Sequence, residues 1–115
     1  MDQVDVVIIG AGAAGLMAAC SIVESGIGSG LSVCVFERQE KPGRKILASG
    51  NGRCNLGHSG SLDRHYRGKS PEFVKPVFDL VTQDKYRQIF SDLGVLLSED
   101  ETGRLYPRTM RSDTI

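Results

Sequence analysis

Cysteine is scarce in this 115-residue sequence, net charge is zero, and no repeat or low-complexity tract is present. Each shortage removes a class of protein. Cys20, Cys34 and Cys54 cannot all pair, and none stands in a CxxC or Cys/His zinc spacing. A disulfide-dense mini-protein and a zinc module are therefore excluded, no metal site is expected, and a reducing, cytoplasmic setting fits best. Zero net charge removes whole-molecule steering towards nucleic acid or an anionic membrane. A cationic start is also missing, since Met1-Asp2-Gln3 opens the chain, so a signal peptide is not expected. The longest uncharged run, Val6 to Val23, touches the length of a membrane span. Three glycines and five alanines dilute it, and no basic flank appears before Arg38, so no membrane association is expected. What remains, 40% apolar and 24% charged residues, is ordinary for a globular chain of one-domain length.

The neutral total hides an asymmetry. Residues 1–36 carry three acids and no Lys or Arg, whereas residues 37–69 carry eight basic side chains against three acidic ones. The basic excess is confined to a glycine-rich stretch. It lacks the aromatic interleaving of a nucleic-acid binder, with only Tyr66 in it, so no nucleic-acid partner is expected.

Val4 to Ile9 is β-branched and almost wholly apolar, the pattern of a parallel strand buried on both faces. Gly10-Ala11-Gly12-Ala13-Ala14-Gly15 follows at once. Leu16, Ala19, Cys20 and Val23 predict a helix over 16–25, with Gly26 as its stop. Leu31 to Phe36 reads as a second apolar strand closed by Glu37, and Cys20 and Cys34 read as small buried hydrophobes. Residues 39–60 have no period and read as a long structured loop; 61–71 read as polar connection. Two helices are predicted over 71–81 and 83–93, then a hairpin from Val95–Ser98 and Arg104–Tyr106. Ser112-Asp113-Thr114 looks like a helix start.

Strand, glycines, helix, strand and acid in this order form the context that turns a GxGxxG hexamer into a dinucleotide fingerprint. Gly10 allows the tight turn, Gly12 the approach of a pyrophosphate, and Gly15 the close packing of helix on strand. Ala13 and Ala14 would donate backbone N–H groups at the helix N-terminus. Glu37 lies 22 positions after Gly15, where an acid accepts from ribose hydroxyls. A carboxylate there repels a 2′-phosphate, which leaves NAD or FAD.

Residues 43–55, GRKILASGNGRCN, closely resemble a signature of bacterial NAD(P)/FAD-dependent oxidoreductases, the BaiN-like or aminoacetone-oxidase-like flavoproteins. Gly103-Arg104-Leu105-Tyr106-Pro107 resembles that family's GR-aromatic-Pro element, and the resemblance runs from residue 4 to about 110. It implies an α/β, Rossmann-like, glutathione-reductase-like fold that binds FAD, with NAD(P)H as a candidate electron donor and a small-molecule substrate. Carried onto this sequence, Gly10 to Gly15 hold the pyrophosphate, Glu37 the adenosine ribose, and Arg38 lies beside the adenine. Arg44 and Lys45 approach the phosphates or ribityl chain. Ser49, Gly50, Asn51, Gly52, Arg53, Cys54 and Asn55 run along the flavin end. The dithiol of disulfide-reducing flavoenzymes is absent, and Cys54 reads as a packed thiol more than a reactive one. His58 and His65 read as surface histidines, and no motif supports a cysteine–histidine hydrolase.

Residues 1–70 are thus expected to be the N-terminal part of an FAD/NAD(P)-binding domain, and 71–115 the start of an inserted or substrate-side region. No catalytic acid or base is identifiable; Arg104 and Tyr106 are candidates to line a substrate cleft or to pack as hairpin residues. Only one parallel neighbour for the first strand is in sight, so the chain reads as the incomplete N-terminal part of a flavin-dependent oxidoreductase that moves a hydride between flavin and a small organic substrate. The alternatives are a non-catalytic dinucleotide-binding module or remnant and, against the 49–55 signature, a nicotinamide dehydrogenase domain.

Overall fold

Val6–Ile9 (β1) and Val33–Phe36 (β2) form a two-stranded parallel sheet, with Val6 opposite Val33 and Ile9 opposite Phe36. The helix Ala13–Glu24 (α1) crosses between them, so the expected βαβ unit is present. The computed structural model describes residues 3–26, 30–60, 65–68 and 70–115. The expected turn over 26–30 and connection over 61–71 therefore lie partly outside the described residues.

α1 begins three residues before the predicted Leu16. The apolar pattern marks a helix only from its first large side chain, whereas the backbone turns helical as soon as the glycine turn ends. The sheet is tied below its first pair by Asp5. Its Oδ2 accepts the Ser32 N–H at 2.8 Å and the Ser32 hydroxyl at 2.7 Å. These bonds from Ser32 hold the Asp5 carboxyl below its ordinary pKa.

One expectation is corrected here. β1 is not buried on both faces: Val6 and Ile8 are half-buried, but Val7 is 51% and Ile9 81% exposed. The crossover helix covers one face of the pair, and Val7 and Ile9 on the other face stay exposed among the described residues. Cys20 and Cys34 are correspondingly half-buried rather than buried.

The chain gathers into two compact units, Met1–Leu47 and Ala48–Ile115. The boundary expected at residue 70 lies inside the second. The stretch predicted to be a loop holds a short helix, Arg44–Ala48 (α2), a 3-10 turn over Ser49–Gly52, and a two-residue strand, Gly57–His58 (β3). All three are too short to leave a period in the sequence, which is why that expectation failed.

In the second unit the first predicted helix is split into a 3-10 turn, Pro71–Val74, and the helix Lys75–Leu80 (α3). The next helix is Gln83–Asp92 (α4), capped by the Thr82 side chain, which accepts from the Lys85 N–H. The expected hairpin is Leu97–Glu99 (β4) with Arg104–Pro107 (β5). β3 adds to the other edge of β5, so the sheet order is β3-β5-β4 and the Gly103–Pro107 element becomes its central strand. Leu105, Tyr106 and Pro107 are buried there with Cys54, Phe90 and Val95. The final Ser112–Thr114 turn is 3-10.

Gly103 sits at the hairpin turn with φ +85°, and a Cβ there would lie 2.8 Å from the His58 ring. Replacing Gly103 by alanine combines an unfavourable backbone conformation with this overlap. The expected loss is about 2 kcal/mol, read by chemical denaturation.

Candidate functional site

Each unit carries one part of the residue set expected from the sequence. In the first, the turn between β1 and α1 is built around Gly15. A Cβ on Gly15 would stand 1.9 Å from the Gly10 carbonyl oxygen and 3.3 Å from Ile8 Cγ2. Only a bare Cα lets α1 come down onto β1 at this point. Gly10 has φ +96° and closes the turn, with its N–H donating to the Phe36 carbonyl at 2.7 Å.

Gly12 is different. A Cβ there would meet nothing within 4 Å, and its φ of −82° suits any residue. Packing within the chain does not require glycine at this position. Gly12 is also the N-cap of α1, with no side-chain cap and no acidic residue in the first turn. The first N–H groups of a twelve-residue helix are thus presented without an anionic partner from the cap, beside a glycine that leaves room for one. A helix N-terminus of this kind can receive an anionic group.

Glu37 follows β2 and reaches that turn. Its Oε2 accepts the Ala11 N–H at 2.8 Å and its Oε1 accepts the Gln39 N–H at 2.8 Å. The bonds from Gln39 and then Ala11 hold its carboxyl below the ordinary value. Each oxygen keeps a further acceptor site, which suits a diol ligand. Because the folded pKa is the lower one, the stabilisation is complete above the ordinary 4.5 and is lost as pH falls through the folded value. An NMR titration should therefore show the Ala11 and Gln39 amides shifting together below pH 4.5, with no such transition in Glu37→Gln.

Arg38, Gln39, Glu40, Lys41, Arg44 and Leu47 line a cavity of about 560 Å³, a size in the range of ligand sites. Arg44 is aimed by a 2.7 Å bond from Nη1 to Gln39 Oε1. Arg38 and Arg44 thus share one lining, while Lys45 is exposed and outside it. Gln39, Glu40, Lys41 and Leu47 were not singled out from the sequence, because isolated residues in an aperiodic stretch carry no pattern.

The second unit holds Ser49 to Asn55 as a tight loop. Gly50, Asn51, Gly52 and Cys54 all have φ between +56° and +79°. The Cys54 N–H donates to the Ser49 carbonyl at 3.0 Å and the Arg53 N–H to the Gly50 carbonyl at 3.2 Å. Two non-glycine residues in the left-handed region within four positions mark a backbone held against its preference, as functional loops often are. The Arg53 guanidinium lies 5.1 Å over the Tyr106 ring. Tyr106 is 3% exposed, so it packs in the sheet instead of lining an open cleft, while Arg104 is exposed. Cys54 is 4% exposed, in keeping with a packed thiol.

His58 departs from the surface reading. It is half-buried in β3, its Nδ1 accepts the Gly60 N–H at 2.9 Å, and its ring stacks at 3.9 Å on exposed His65. Neither histidine hydrogen-bonds to Cys54 among the described contacts. No helix among the described residues is long and apolar enough to cross a membrane.

Comparison with known proteins shows similarity to several proteins, three bacterial ones among them. The chain is 35% identical over 108 residues to a 3-dehydro-bile acid delta(4,6)-reductase of Clostridium scindens, covering 94% of this chain and 26% of that protein. It is 38% identical over 100 residues to a ribosomal RNA dihydrouridine synthase of Haemophilus influenzae, covering 87% and 24%. It is 35% identical over 106 residues to the ribosomal RNA dihydrouridine synthase of Escherichia coli, covering 92% and 26%. The chain thus spans about a quarter of the length of the curated relatives it matches. Residues 4–115 match the HI0933-like protein Rossmann domain, and the chain belongs to that family.

Proposed function

We propose that this chain is the dinucleotide-holding part of a flavin-dependent oxidoreductase, with FAD as the cofactor. The observation that carries the reading is the bond of the Ala11 N–H to Glu37 at 2.8 Å, which brings a ribose acceptor to the phosphate turn. The residues fit the group. The α1 N-terminus and Gly12 receive the pyrophosphate, Glu37 accepts from the ribose hydroxyls, and Arg38 and Arg44 flank the adenosine end. Ser49 to Asn55, in the other unit, are the residues we assign to the flavin end from the family signature. FAD, when bound, would supply two-electron hydride chemistry, with NAD(P)H as the candidate donor. The chain's own part is to bind, orient and shield.

For the substrate, the reductase relative supports a small organic molecule with a conjugated double bond. A second reading is favoured by the names of the other two relatives, in which the substrate is a uridine of ribosomal RNA. The basic excess of residues 37–69 would serve that reading, although aromatic residues are sparse there.

The test is an absorption spectrum of the purified full-length protein, before and after adding FAD, with NAD as control. Flavin bands should co-elute with the protein. Glu37→Ala should lower FAD affinity about tenfold, ~1.4 kcal/mol. A colourless protein that ignores added FAD sinks the reading. FAD retention without turnover of a conjugated enone or of unmodified ribosomal RNA would leave the binding-module reading standing.

A further inference from the structure

One stripe of α4 is directed at the backbone that leaves the Ser49–Asn55 loop. Gln83 Nε2 donates to the Ser59 carbonyl at 2.8 Å and the Gly60 carbonyl at 2.7 Å, with the His58 carbonyl at 3.4 Å. One turn further, the Tyr86 hydroxyl donates to the Leu56 carbonyl. Burial raises the Tyr86 pKa above the ordinary phenol value, so this group is a donor at neutral pH. The Tyr86 ring stands 3.6 Å from where a Gly57 Cβ would be, and Phe90 meets it edge-on at 5.0 Å. Arg87 pairs with Glu99 at 3.2 Å, and the other Glu99 oxygen accepts the Ser59 hydroxyl at 2.5 Å. Positions 83, 86, 87 and 90 are one face of a helix.

The opposite groups of the same segment are also taken. The Leu56 N–H donates to the Leu105 carbonyl and the Ser59 N–H to the Gly103 carbonyl, each at 2.8 Å. Residues 56–60 are therefore held by their N–H groups from β5 and by their carbonyls from α4. A two-residue strand at a sheet edge needs no such second set of bonds to exist. What depends on it is the loop just upstream, because the Asn55 nitrogen lies 2.7 Å from where a Gly50 Cβ would be. The Cys54 N–H bond to the Ser49 carbonyl at 3.0 Å ties the two ends of that loop, so a shift of residues 55–56 is passed back to the turn at Gly50.

We propose that Gln83 and Tyr86 are positioning residues that clamp Leu56–Gly60 by its carbonyls and so fix where the Ser49–Asn55 backbone meets the cofactor. This rests on the reading of that loop as a cofactor contact. Two shape-conserving variants of the full-length protein isolate the bonds. Tyr86→Phe keeps the ring and removes the hydroxyl donor. Gln83→Glu keeps the outline and turns a donor into an acceptor facing carbonyls. Gln88→Ala, where Gln88 is exposed on α4 and bonds to Asp92 at 2.6 Å, is the control.

In the cofactor-free protein, amide exchange at Arg53 and Cys54 should speed up about tenfold in either clamp variant, a ~1.4 kcal/mol loss of local stability. FAD affinity should fall by a similar factor, and the visible circular dichroism of bound flavin should change, while Gln88→Ala does neither. Unchanged exchange at Arg53 and Cys54, or a wild-type flavin spectrum and affinity despite faster exchange, overturns the proposal and leaves α4 a purely structural support. Should the wild-type protein take no FAD at all, the functional reading falls, and the exchange rates alone decide whether the clamp sets the loop.

Discussion

Replacing Gly12 by alanine should weaken FAD binding sharply and leave the fold intact, whereas replacing Gly15 by alanine should impair both. The two glycines sit three positions apart in one turn, yet their surroundings are opposite. A Gly15 Cβ would stand 1.9 Å from the Gly10 carbonyl oxygen and 3.1 Å from its carbon. Both are backbone atoms, fixed because the Gly10 N–H is already bonded to Phe36 across the sheet. Relief requires α1 to lift from β1 or the turn to open, and the expected cost is about 4 kcal/mol, the scale of severe overpacking. At Gly12 the methyl group would point into open space, and the conformation suits alanine. The stability cost is that of a poorer helix N-cap, about 1 kcal/mol at most. That same methyl group would occupy the approach to the first N–H groups of α1. FAD affinity should drop about 100-fold, or ~2.7 kcal/mol. Thermal unfolding of the cofactor-free protein and a flavin-fluorescence titration read the two effects separately. Normal FAD binding by Gly12→Ala would remove the phosphate role from this turn.

The contrast between these glycines bears on what the sequence could convey. The fingerprint gave the β1-turn-α1-β2 order, the parallel pairing and the closing acid, because each rests on a local rule: alternating elements, a turn that needs glycine, an acid at a fixed distance. It singled out Glu37 at the end of the second strand, and the fold adds that its carboxylate accepts the Ala11 N–H. The bare face of β1 was not legible. An apolar run such as Val6–Ile9 states that a strand suits burial on both sides, and says nothing about which part of the polypeptide provides the cover.

The second unit was harder to read for a different reason. Its helix α4 and its hairpin followed their periods, but β3 is two residues long and α2 five, below any periodic signal. The position of β3 beside β5 is fixed by long-range hydrogen bonds, and those by Gln83 and Tyr86 from a helix some 25 residues further on. A glutamine and a tyrosine three apart on an amphipathic helix look like one exposed and one core residue. Only the fold discloses that both reach the same backbone segment.

The Ser49–Asn55 loop offers the second sharp test, again by comparing two glycines. Gly50 and Gly52 share the left-handed conformation, with φ of +57° and +79°. Alanine at Gly52 meets nothing within 4 Å, so only the backbone penalty applies, about 1 kcal/mol. Alanine at Gly50 carries that penalty and also drives its Cβ to 2.7 Å from the Asn55 nitrogen and 3.5 Å from Tyr106 Cε1. Asn55 cannot retreat while Leu56 is held by Leu105 and Tyr86, and Tyr106 is pinned in the central strand. The loop must therefore unwind, releasing the Cys54 N–H from Ser49 and displacing Arg53 from the Tyr106 ring. Gly50→Ala should cost about 3 kcal/mol, against about 1 for Gly52→Ala. Exchange of the Cys54 amide should rise in proportion in the first variant and little in the second. Flavin affinity should follow the same order, because an unwound loop no longer offers the cofactor the same backbone surface. Equal losses in the two variants would show that the close approach of Gly50 to Asn55 does not govern the loop, and that its conformation alone does.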